Sequence, residues 1–132
     1  MRTPLALILM VALAIPAIGK TPLRENSTIN NQLLVVGLAN EIRKRCDSIS
    51  GRLLKGASKL RSIQKQAIAQ GYSKDEIRTY VESDVEKDRM KEIGRVWLAN
   101  RGASPEEPDT MCRVGREEIA KNSSIGGLLY EN

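Results

Sequence analysis

The chain has no histidine and no phenylalanine among its 132 residues. The first absence excludes Ser–His and Cys–His nucleophile pairs and the usual imidazole-based zinc sites. The second, with only one tryptophan and three tyrosines present, calls for an aliphatic core. No glycine loop of phosphate-cradling spacing occurs, and no repeat, low-complexity tract or strand-like alternation stands out. Only two cysteines are present, Cys46 and Cys112, too far apart for a CxxC redox pair or a metal knuckle. The chemistry left is that of carboxylates. Asp84, Asp88 and Glu92 recur at helical spacing, and with Glu117 or Glu118 they would make a cation or acid/base site only if folding gathered them. Solvation, or structural ion pairs of Asp84 and Asp88 with Arg43 and Arg116, is the expected fate of these groups. The expectation is therefore a protein that is not an enzyme, with no catalytic residue, cofactor or metal.

Residues 1–19 have the pattern of a secretory signal peptide: Arg2, then an apolar run from Leu5 to Ile15, then Ala17-Ile18-Gly19 with small residues where a signal peptidase reads. The run is too short for a comfortable membrane span. Cleavage near Gly19 would release a periplasmic or secreted chain and lower the net charge of +5 by one. That balance is mildly basic, and nucleic acid is the wrong partner outside the cytosol. In an oxidising compartment a pair of cysteines implies a Cys46–Cys112 bridge, which by closing so long a loop would add roughly 4 kcal/mol on the chain-entropy account.

The fold expectation is one all-α domain over residues 30–132, a bundle of about four helices with one disulfide, preceded by a flexible arm over 20–29. The first helix is predicted from Asn30 to about Cys46, with Thr28 or Asn30 as cap. The second is predicted from Asp47 to Gln70, with Leu53, Ala57, Leu60, Ile63, Gln64 and Ala67 as its inner stripe, widened by Leu54 and Ile68. The third is a single long helix from Ser73 to Gly102, opened by the capping box Ser73/Glu76. Its apolar positions change face between Val85 and Ile93, which predicts a bend near Asp88 to Gly94 or two halves with different neighbours. Ile77, Val81 and Val85 should meet the second helix; Val96 and Trp97 should meet the first or last helix near the bridge. The last helix is predicted from Asp109 to about Asn122, with Cys112, Gly115 and Ile119 on its inner face. The apolar, glycine-broken tail Ile125–Tyr130 is expected to fold back over the core, the alternative being an exposed docking tail.

Charge is patterned unevenly. From Arg43 to Lys74 there are nine basic residues and one acid; from Asp75 to Glu92 there are seven acids and four bases. Either the basic second helix lies beside the acidic third and is neutralised by it, or its basic face, with Arg52, Lys55 and Lys59, is open to a partner. The segments EIRKRCDSIS, GYSKDEI and MCRVGREEIAKNSSIGGLL resemble a family of small secreted alphaproteobacterial proteins without an assigned activity, whose genes look like neighbours of those for the respiratory NADH–quinone oxidoreductase. That resemblance implies a periplasmic accessory or assembly factor at the inner membrane. The functional expectation is a non-enzymatic protein-interaction module. The alternative is binding of anionic lipid, in peripheral contact with a membrane, or of a small anionic ligand, through the basic helix.

Overall fold

The first helix begins where a side chain can take up its orphan amides. In the computed structural model, which describes residues 20–132, Asn26 caps α1 (Ser27–Arg45) by accepting from the Ile29 N–H at 3.1 Å. Neither Thr28 nor Asn30 is the cap. Asn30 sits inside the helix, buried, and its amide donates to the carbonyls of Leu23, Arg24 and Asn26. Those bonds hold a 3-10 turn at Leu23–Glu25 against α1. Residues 20–29, expected as an arm, thus carry structure, and Leu23 and Ile29 are both buried. The expected signal peptide and its cleavage site lie outside the described residues. No described helix is long and apolar enough to cross a membrane.

After Cys46 the chain makes a short strand, β1 (Ile49–Gly51), before α2 (Leu53–Ala69). The sequence pattern ran α2 back to Asp47; the strand takes those residues because the C-terminal tail supplies it with a partner. β1 pairs antiparallel with β2 (Leu129–Glu131), Ile49 opposite Glu131 and Gly51 opposite Leu129. The Arg52 N–H donates to the Leu128 carbonyl at 2.7 Å, so α2 starts from the tail. Gly71, at φ +98°, closes the turn that follows α2.

The expected single helix over Ser73–Gly102 is two helices: α3 (Lys74–Glu82) and α4 (Asp84–Ala99). The break is at Ser83, earlier than the bend predicted near Asp88 to Gly94. Ser83 leaves helical geometry (ψ 121°) and its hydroxyl accepts from the Glu86 N–H at 3.3 Å. The physical reason is local: serine competes for backbone amides and is worth more as an N-cap than within a helix. Ser73-to-Glu76 is a complete capping box, and Ser83-to-Glu86 repeats its spacing. Last comes α5 (Pro108–Lys121), with proline in its first turn and Asn122 in the left-handed conformation beyond its end.

These elements enclose two apolar clusters. The larger joins Leu38, Ala39, Ile42 and Cys46 of α1 with Ile49, Leu98, Met111 and Val114, and the tail covers it with Ile125 and Leu129. Gly115 is needed here: a Cβ would come within 2.7 Å of Ile42 Cγ2 and as close to Ile49. The Cys46–Cys112 disulfide, with Cα atoms 5.1 Å apart, links α1 to α5 beside this cluster. The smaller cluster joins Leu23, Ile29, Ile63, Ala67 and Tyr72, with Ile77 and Tyr80 of α3 packed on it. The two halves of 73–102 therefore serve different clusters, Ile77 the smaller and Trp97 the larger. Val81, Val85 and Val96 were expected to pack too, yet all three are exposed.

Candidate functional site

The acidic ladder does not converge. Asp84 and Asp88 point into solvent, each near only its own-helix lysine, Lys87 at 4.0 Å and Lys91 at 3.8 Å. The expected pairing with Arg43 and Arg116 does not form, because the break at Ser83 starts α4 with Asp84 in its exposed first turn. Glu117 and Glu118 pair along α5 with Arg113 and Lys121. Among the described residues no three Cys, Asp or Glu side chains lie close enough together to hold a metal.

A polar network that sequence patterning missed ties the smaller cluster together. The Tyr80 hydroxyl donates to the Asn30 side-chain oxygen and accepts from Arg89 Nη2 at 2.8 Å. Arg89 Nε meets one oxygen of Glu86 at 2.7 Å, and Arg24 Nε meets the other at 3.1 Å. Burial pushes the Tyr80 phenol above its usual pKa, and the Glu86 hydrogen bond raises that of Arg89. Each polar atom named here is bonded to a neighbour within the fold. The arrangement fixes α3 and α4 against α1 and the 3-10 turn. The sequence signals for it were Glu86 and Arg89, three apart and of opposite charge, and Tyr80 at helical spacing from Ile77.

What remains unsatisfied is α2. It was predicted to bury a continuous stripe, but of that stripe only Ile63 and Ala67 are buried. Leu53 is 69% exposed, Leu54 88%, Leu60 46% and Ile68 40%. α2 contains four cations, Lys55, Lys59, Arg61 and Lys65, and no acid. Among the described residues none of the four forms an ion pair. The acids at the start of α3 are engaged elsewhere, Glu76 with Lys20 at 2.7 Å and Asp75 with Arg78 at 2.8 Å. The neutralising pairing of α2 with α3 therefore does not occur. Arg52 and Lys55 are exposed and Lys59 half-buried. Arg52 donates to the Leu129 carbonyl at 3.3 Å and lies over the Tyr130 ring, and Lys59 donates to Gln32 at 3.0 Å.

Two clefts flank the helix. One, about 450 Å³, runs between α1 and α2 and is floored by Gly37 and Gly56. The other, about 600 Å³, lies between α1, α2 and α3 over the smaller cluster. Leu60 lines both. An α2 that buries side chains only in its second half, with cations unpaired among the described residues and leucines uncovered, is the feature of this domain that its own core does not account for.

Residues 21–130 match the Family of unknown function (DUF5333). The chain belongs to that family. No curated protein and no solved structure matches it. In this DUF5333 domain the disulfide, the glycine contacts and the tail that lies over the core all fall inside the matched span. So does the whole of α2.

Proposed function

We propose that the domain is a non-catalytic protein-interaction module of the periplasm, and that the outward face of α2 is its contact element. The observation that carries this reading is Leu54, 88% exposed. It shares a face at spacings of three and four with Ala57, Arg61, Lys65 and Ile68, all exposed. A large aliphatic side chain ringed by unpaired cations suits an acidic, partly apolar protein surface: burial of the leucines supplies affinity, and the cations supply orientation and speed of encounter. The Cys46–Cys112 bridge is compatible with an oxidising compartment. The resemblance to secreted proteins encoded near NADH–quinone oxidoreductase genes makes the periplasmic side of that complex the first partner to try.

The test is a photo-crosslinking residue at position 54 in living cells, with the same residue at position 116, an exposed site on α5, as control. A discrete protein adduct is expected from position 54 and not from 116. It should disappear when Arg61 and Lys65 are both changed to Glu. Identical adducts from both positions, or adducts indifferent to the charge reversal, would refute the assignment.

A further inference from the structure

We infer that the cleft between α1 and α2 is a binding site for a single-chain anionic amphiphile, its acyl chain lying over Gly37 and Gly56 and its acidic head held by Arg43 and Arg52. This site is separate from the outward face of α2, and three observations converge on it.

The first is the floor. A Cβ added at Gly37 or at Gly56 would meet nothing within 4 Å. Both glycines lie inside helices, where alanine is the better residue, and unlike Gly115 neither is required by a neighbour within the fold. Each makes sense if something outside the chain approaches the backbone there. The second is the wall. Val36, Ala39, Leu53, Leu60 and Leu128 give the cleft an apolar lining, and at about 450 Å³ its size falls among small-molecule sites.

The third is charge. Arg43 and Arg52 line the cleft and no acid does. Neither forms an ion pair among the described residues. Both lie beside neutral groups instead. The Arg43 stem lies across Gly51, where a Cβ would come within 2.7 Å of its Cδ. Arg52 is fixed by the Leu129 carbonyl and the Tyr130 ring. Two guanidinium groups without an acidic partner among the described residues, lining an apolar trough, match a carboxylate head on a hydrocarbon chain. The larger cleft on the other side of α2 is lined by three cations, Arg61, Lys74 and Arg78, of which Arg78 is paired with Asp75 at 2.8 Å.

The experiment titrates the protein with decanoate, dodecanoate and tetradecanoate below their micellar concentrations, and with the corresponding alcohols. Amide chemical shifts report the position. One saturable site is expected, with shifts centred on Gly37, Gly56 and Leu60. Affinity should rise about two- to fourfold per methylene, the range for partial to full burial of a CH₂. Changing both Arg43 and Arg52 to Gln should weaken the acids at least tenfold and leave the alcohols unaffected. Gly56→Leu fills the trough from a site with open space above it, so it should abolish binding with the melting temperature unchanged or raised; Gly37→Leu repeats the test from α1. Four results would overturn the inference: no saturable binding, shifts centred on Ile77 and Val81, equal affinity for acid and alcohol, or binding only to phosphatidylglycerol vesicles. The last would make the region a membrane-docking surface. None of these results bears on the adduct from position 54.

Discussion

Two adjacent glycines in the tail give a matched test of how the tail is seated. A Cβ on Gly126 would overlap the Glu118 carbonyl group and come within 2.7 Å of the Ile119 nitrogen. All of these are backbone atoms in the last turns of α5, so nothing can swing aside. Gly126→Ala must therefore lift the tail off α5 or distort the helix end. If the tail lifts, Ile125 and Leu129, now 5% and 2% exposed, return to water, and β2 loses its register on β1. At about 1.5–3 kcal/mol for each large aliphatic side chain, the ceiling is about 3–6 kcal/mol, a large share of the roughly 5–15 kcal/mol typical of a domain. A Cβ on the neighbouring Gly127 would meet nothing within 4 Å, so Gly127→Ala should fall within about 0.5 kcal/mol of the parent. Urea denaturation of the two variants measures the difference, and hydrogen exchange at the Arg52 and Asn132 amides, which bond to the Leu128 and Ser48 carbonyls between the two strand segments, locates it. If Gly126→Ala costs less than about 1 kcal/mol, or if the two variants cost the same, the close seating of the tail on α5 is wrong.

The disulfide spans 66 residues, so replacing Cys46 and Cys112 together by serine should cost about 4 kcal/mol on the chain-entropy account and steepen the urea dependence, because the unfolded chain expands. A loss below about 1 kcal/mol, or two titratable thiols in the unreduced protein, would contradict it. Glu76 predicts a pH effect: its hydrogen bonds from Lys20 and from the Ser73 amide lower its pKa from the ordinary 4.5. A carboxyl whose folded pKa is depressed stabilises fully above its unfolded value and loses that contribution as the pH falls through the folded one. Glu76→Gln should therefore lose less melting temperature between pH 6 and pH 3 than the parent does. An identical pH dependence in the two proteins would refute the link.

Helix content, the order of helices, the bridge and the inner face of α5 were legible because their signals are local. Capping residues, three-and-four spacing and an even cysteine count act within a turn or two, or depend only on compartment. Ser83 was legible in principle, since Ser83-to-Glu86 repeats the spacing of Ser73-to-Glu76. The continuous run of helix-pairing charges around it hid the break, because such pairs support helix on either side of a cap as readily as across it. The strands β1 and β2 had no local signal at all. Three residues after Cys46 and three at the C-terminus become a sheet only when tertiary folding brings them together.

The uncovered side of α2 is where sequence and tertiary structure part most clearly. Periodicity along residues 53–69 is enough to make α2 a helix with an apolar stripe and basic flanks, because periodicity is a property of the helix alone. It could not say how much of that stripe finds a partner. That was decided by the lengths and starting points of the other elements: α1 presents Gly37 to the first half of α2, β1 and the tail claim the residues before it, and α3 stops at Ser83. Burial is a relation between surfaces. Only the tertiary structure decides which surface is left over, and here it is Leu53, Leu54 and Leu60 beside unpaired cations.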